Sequence, residues 1–107
     1  MIFVYSIFPN KNIAKGVGER LVRKKLAACC NIFPIDSIYS WPSSAGKREK
    51  IVQDKEFAVI IKTKKENFKK IEKFILESHP DETPCILEIP INRVTKKYLQ
   101  WFNQEVA

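Results

Sequence analysis

The sequence predicts an α+β fold: a four-stranded antiparallel sheet, two helices on one of its faces, and a third helix at the C-terminus. Three observations carry that prediction. Four runs are rich in residues that suit strands, the stretches between them repeat apolar residues at helical spacing, and the two longest strand-like runs flank a turn-rich loop. The 107 residues, 45% of them hydrophobic and only three of them glycine, are expected to form one ordered domain spanning 1–107.

Ile2 to Phe8 reads as the first strand, closed by Pro9-Asn10. Asn12 is placed to cap a helix from about Ile13 to Lys25, with Ile13, Val17, Leu21 and Val22 as its apolar stripe. Gly16 and Gly18 each weaken that helix by about 1 kcal/mol relative to alanine, which points to close packing at both. From Leu26 to Trp41 (LAACCNIFPIDSIYSW) four small residues lead into a strand-like run. Lys50 to Thr63 (KIVQDKEFAVIIKT) has the same character, and Pro42, Ser43, Ser44 and Gly46 lie between the two. This is the pattern of a β-hairpin.

Each arm of that hairpin holds about 14 to 16 residues, against about 5 to 6 for an ordinary strand. Unbroken, an arm reaches roughly 50 Å at about 3.3 Å per residue, whereas a compact domain of this size has a radius of gyration near about 13 Å. The arms therefore bend, with Pro34 the candidate, or the tip projects. A projecting tip carrying Tyr39, Trp41 and Ile51 exposes more apolar surface than monomers tolerate, so a further subunit is expected to cover it. The alternative is a hairpin folded back over its own core.

Glu66 to Ser78 reads as the second helix, with Phe68, Ile71, Phe74 and Ile75 on one side and lysines on the other. His79 to Pro84 is a loop with two prolines. Cys85 to Ile91 is a short fourth strand, with Pro90 marking an early end or an edge. Thr95 is placed to cap a last helix carrying Tyr98, Leu99, Trp101, Phe102 and Val106. The order β-α-β-β-α-β, with right-handed crossovers, gives the ferredoxin-like arrangement. Its second sheet face is bare unless the last helix or a neighbouring subunit covers it.

Nineteen basic and twelve acidic residues leave a formal net charge of +7. The basic residues fall on expected outer helix faces, interleaved with Glu19, Glu66 and Glu72, and no nucleic-acid reader motif accompanies them. A solvated face is expected, with no nucleic-acid partner. No apolar run reaches the roughly 18 to 20 residues of a membrane span. The N-terminus lacks a basic leader and a cleavage site, so the expected compartment is the cytoplasm. Cys29, Cys30 and Cys85 are odd in number and two are adjacent, which argues for reduced, buried thiols over a disulfide scaffold.

His79 is the only histidine. Beside Asp81 and Glu82 it is a candidate ligand for copper or zinc. It also suits the C-terminal end of the second helix, where a charged imidazole complements the dipole. Glu56 and Lys62 share strand parity and are candidates to face one cleft. No nucleophile–base pair, phosphate loop or Cys-x-x-Cys pair is present, so no enzyme activity is expected.

The blocks LVRKKLAACCNIFPIDSIYSW, DKEFAVIIKT, HPDETPCI and YLQW, in that order and nearly end to end, resemble the CutA family of divalent-cation tolerance proteins. The resemblance implies a ferredoxin-like protomer in a tight homotrimer with the long strands building intersubunit sheets. It implies tolerance of copper and other divalent cations in bacterial members and membrane anchoring of acetylcholinesterase in mammalian relatives. A likeness to the nitrogen-signalling PII trimers adds a non-catalytic signalling or protein-anchoring role as the alternative, with a possible protein partner.

Matching the family residue by residue are Trp41, Glu56, Lys62, Thr63, His79, Pro80, Glu82, Pro84, Tyr98 and Trp101. Departing from it are Asp81, where the loop usually has tyrosine, and Cys85, where it usually has an acid. Ser6 and Ser78 stand where some members have a cysteine and a second histidine proposed as copper ligands. A copper site of that composition is therefore not expected here, and a divalent metal such as copper is instead placed at His79, Glu82 and Cys85, in a subunit cleft with Trp41, Glu56, Lys62 and Asp81. The segment from Pro42 to Glu49 exceeds the family's usual short turn and is expected to be extended, polar and mobile.

Overall fold

A computed structural model describes residues 1–42 and 49–107. The hairpin tip between them, for which an extended and mobile form was expected, lies outside the described residues. The chain runs β1 (Ile2–Phe8), α1 (Lys11–Arg23), β2 (Cys29–Pro42), β3 (Glu49–Thr63), a 3-10 turn (Lys65–Asn67), α2 (Phe68–Ser78), β4 (Ile86–Pro90) and α3 (Lys96–Glu105). The four strands form one antiparallel sheet in the order β2-β3-β1-β4.

Strict alternation in β1 explains the core. Ile2, Val4, Ser6 and Phe8 are buried while their neighbours are half-buried. They sit opposite Thr63, Ile61, Val59 and Phe57 of β3, so one face of both strands turns inward. Onto this face pack Ala14, Val17 and Leu21 of α1 and Ile71 and Ile75 of α2, which places both helices on the same side. The buried hydroxyls of Ser6 and Thr63 are satisfied. Ser6 Oγ donates to the Cys85 carbonyl at 2.6 Å, and Thr63 Oγ1 donates to the Leu26 carbonyl at 2.6 Å.

Two end signals differ from the sequence reading. Asn10, not Asn12, caps α1: its side-chain oxygen accepts from the Ile13 N–H at 2.9 Å, two residues earlier than expected. Thr95 does hold the N-cap position of α3, but its hydroxyl makes no capping bond. The C-terminal end of α1 closes without glycine. Lys25 takes a left-handed φ of 61°, while the Leu26 N–H bonds back to the Leu21 carbonyl and the Lys25 N–H to that of Val22. This is the paired bonding of a Schellman stop.

The pairing within the hairpin is unbroken. Its register runs without a break from Cys29↔Lys62 to Pro42↔Glu49, and Pro34 sits flush opposite Phe57. β2 is an edge strand, a position that tolerates a proline. The hairpin projects instead of folding back. The protein measures 52 × 26 × 22 Å, and its radius of gyration is 15.5 Å against about 13 Å for a compact chain of this size.

The second sheet face is covered only at one end. Phe102 and Val106 of α3 bury themselves against Ala28, with Met1 and Cys29 alongside. Beyond that helix, Phe33, Tyr39, Trp41, Leu87 and Ile89 stay exposed on the open face.

The glycines of α1 differ in kind. A Cβ on Gly18 would lie 3.2 Å from the Cys30 Cβ, so this position is held small by the strand beneath it; a Cβ on Gly16 would meet nothing within 4 Å. Close packing therefore explains Gly18 and not Gly16. Gly16→Ala should raise the urea midpoint by the equivalent of about 0.5–1 kcal/mol with an unchanged slope. Gly18→Ala should gain nothing or lose stability in the same measurement.

Candidate functional site

The projecting hairpin and the loop after α2 stand side by side and enclose an open cleft of about 620 Å³. From the hairpin come Tyr39, Trp41, Val52 and Glu56; from the loop come Pro80, Asp81, Glu82, Thr83 and Cys85. Ile7, at the end of β1, forms the floor. Five of the seven residues expected at the site, Trp41, Glu56, Asp81, Glu82 and Cys85, thus meet in one place. His79 and Lys62 do not line it.

His79 is the fixed point of the loop. It follows the last residue of α2, and its backbone N–H bonds to the Ile75 carbonyl at 2.8 Å. Its ring is stacked on Phe8, centroids 4.8 Å apart, and the side chain has no exposed surface. Nε2 lies 2.7 Å from the Ile7 carbonyl, and Nδ1 lies 3.0 Å from the Asp81 N–H. A carbonyl only accepts and an amide N–H only donates, so Nε2 carries the proton and Nδ1 is the acceptor. Both nitrogens are used by the backbone, and neither offers a lone pair to a metal.

The expected set of His79, Glu82 and Cys85 therefore does not fit a metal centre within one chain. Among the described residues no three His, Cys, Asp or Glu side chains are grouped closely enough to hold an ion. Cys85 points the same way. Burial, and then the charge of Glu56, raise its thiol pKa, which disfavours the thiolate that metals prefer. The hydroxyls of Ser6 and Ser78 are spent on the Cys85 and Phe74 carbonyls.

Negative charge collects in the cleft. The Tyr39 hydroxyl donates to Asp54, and that bond, with burial and the charges of Asp54, Glu56 and Asp81, raises its pKa to about 12. Tyr39 was read from the sequence only as an exposed apolar residue of the tip. Its alternation with Trp41 on one face was the available signal. The two rings meet edge to face, centroids 6.3 Å apart, and form an aromatic wall beside the carboxylates.

Lys62 shares a sheet face with Glu56 but lies six residues along β3, about 20 Å at about 3.3 Å per residue. Its Nζ is 3.2 Å from the Tyr98 hydroxyl and sits over the rings of Tyr98 and Phe3, 5.3 and 6.0 Å from their centroids. The expected single cleft for Glu56 and Lys62 is thus not formed within one chain.

The family described as CutA1 divalent ion tolerance protein matches residues 2–105. The divalent-cation tolerance protein CutA of Thermotoga maritima is 41% identical over 106 residues, 99% of each chain. That of Archaeoglobus fulgidus is 40% identical over 104 residues, 97% of this chain and 96% of its own. Among solved structures, CutA1 from Pyrococcus horikoshii superposes with a TM-score of 0.90 at 32% identity, covering 100% of this chain and 99% of its own. The Archaeoglobus fulgidus structure, described as a periplasmic divalent cation tolerance protein, superposes with a TM-score of 0.90 at 40% identity over 100% of both chains. The chain belongs to the CutA1 divalent ion tolerance protein family. These relatives are named as tolerance proteins, not as enzymes.

Because His79 holds the loop and does not face the cleft, His79→Ala should lower stability by about 2–4 kcal/mol through the lost stacking and two lost hydrogen bonds. Chemical denaturation measures it. A loss under about 1 kcal/mol together with abolished copper binding would show that the ring is a ligand.

Proposed function

We propose that this chain acts as a non-catalytic homotrimer of ferredoxin-like protomers. In this reading it takes a divalent cation, copper foremost, or a small cationic ligand at subunit clefts in the response to metal ions. The observation that carries the reading is that Glu56, Asp81 and Glu82 line one cavity beside Tyr39 and Trp41, not grouped closely enough within one chain to close on an ion and so open to completion by a neighbouring copy, in a chain whose net charge is +7. Pooled carboxylates in a basic protein concentrate cations locally, and the faces of the aromatic rings favour them further. Copper leads because divalent copper binds most tightly among first-row ions at a given site. His79 has a positioning role here, since it fixes the loop that carries Asp81.

The trimer is supported by apolar surface. Ile38, Ile51 and Trp41 are 71%, 64% and 56% exposed on the projecting hairpin, and the open sheet face adds to them. A cytoplasmic setting is supported by the three unpaired thiols, although the Archaeoglobus fulgidus relative is described as periplasmic. No helix among the described residues is long and apolar enough to cross a membrane.

A second reading is a PII-like signalling or protein-anchoring trimer. Ile38 and Ile51 favour it, because their strand parity puts them on the hairpin face away from the cleft, where they suit a protein partner.

Calorimetric titration of the protein with copper tests the first reading. The double variant Glu56→Gln/Asp81→Asn should bind copper at least about tenfold more weakly, a difference of about 1.4 kcal/mol. Equal affinity in the two proteins would remove the cleft from the account.

A further inference from the structure

We infer that the seam between α1 and the end of α2 is a binding site for the phosphate group of a small phosphomonoester, admitted by the gap at Gly16 and held by the Arg20 guanidinium. This site is separate from the cation cleft proposed above and shares no residue with it.

Asn12, Gly16 and Arg20 follow one another at a spacing of four, so they form one stripe along α1. With Ile13, Val17 and Ser78, the last residue of α2, they line a cavity of about 320 Å³, within the range of about 300–1,000 Å³ usual for small-molecule pockets. Gly16 is the residue that opens it. A glycine inside a helix costs about 1 kcal/mol relative to alanine, and packing does not require this one, since a Cβ there would meet nothing within 4 Å. The cavity accounts for that cost: a larger side chain would take up the space between Asn12 and Arg20.

The donors around the gap are free. Arg23 donates to the Glu19 carboxylate at 2.7 Å, but among the described residues the side chains of Arg20 and Asn12 make no hydrogen bond or ion pair. A guanidinium presents a fork of N–H groups that matches two phosphate oxygens, and the Asn12 amide adds two more donors. The Ser78 hydroxyl already donates to the Phe74 carbonyl at 2.7 Å, so it is left as an acceptor, suited to a hydroxyl of the ligand. Ile13 and Val17 give the carbon part of an ester an apolar wall, and no carboxylate lines the cavity. The surrounding field has the same sign. Residues 11–25 and 64–78 hold eleven basic and four acidic side chains, while the rest of the chain holds eight of each, so the whole net charge of +7 belongs to α1, α2 and the residues flanking them. Such a surface draws anions towards the cavity.

Amide NMR of the whole protein, titrated with inorganic phosphate and with glycerol phosphate, tests this on the signals of Gly16 and Val17. Both probes should shift these signals saturably, with glycerol phosphate at least as tight. Arg20→Gln and Gly16→Leu should each weaken binding by about tenfold or more. Lys70→Gln removes the same charge from the helix layer at an exposed residue outside the cavity and should weaken binding by less than about twofold. Equal losses in Arg20→Gln and Lys70→Gln, or shifts spread over both helices without saturation, would mean diffuse attraction only and would overturn the site. If Gly16→Leu fails to fold, the comparison of Arg20→Gln with Lys70→Gln decides alone. Vesicles containing phosphatidic acid offer the same group on a lipid. Binding to them that Arg20→Gln abolishes, tighter than to glycerol phosphate, assigns the site to a headgroup; the reverse order assigns it to a soluble ester.

Discussion

Pairing between β2 and β3 continues in unbroken register from Cys29↔Lys62 to Pro42↔Glu49, well past the point where the helices stop covering the sheet. The backbone hydrogen bonds of such a ribbon are satisfied internally, so the ladder itself can extend. Its side chains cannot be satisfied in the same way. Inside the domain the alternation of β3 places Val59 and Ile61 under the helices; farther out the same alternation presents Ile51 and Ile38 to water. A two-stranded ribbon alone is marginal in water. Side-chain contacts such as Tyr39 with Trp41 and Asp54 support it here.

The same projection creates the cleft. A hairpin of ordinary length would end near Glu56, and the loop after α2 would face solvent. Because the arms continue, Tyr39 and Trp41 rise beside that loop and give it an opposite wall. The loop in turn is held by His79, a buried neutral ring clamped between the Ile7 carbonyl and the Asp81 N–H. Ser6, buried in β1, holds the far end of the loop through the Cys85 carbonyl. The chemistry of the cleft thus lies in its carboxylates and aromatic rings, while the histidine and serine set the positions of those groups.

Much of this was legible in the sequence. The strands and helices announce themselves through period-two and helical spacing, and the hairpin's excess length follows from Leu26–Trp41 and Lys50–Thr63 alone. The errors are local and physical. Asn10 and Asn12 are both good caps, and only the chain direction after Pro9 decides between them. Gly16 and Gly18 look alike in sequence, but only Gly18 rides over Cys30. Pro34 suggested a bend, yet the pairing runs through it with no break in register. His79 carried a ligand's chemistry in sequence, and its burial against Phe8 was not readable because that contact joins positions far apart in the chain. Glu56 and Lys62 were rightly placed on one face, and parity alone could not show that they stand at opposite ends of it.

We propose that further copies of the chain cover the hairpin and the open sheet face. Sedimentation equilibrium of the native protein at micromolar concentration tests it most directly. The account predicts a single species at three times the 12.5 kDa mass of the chain. A well-folded species at 12.5 kDa would contradict it.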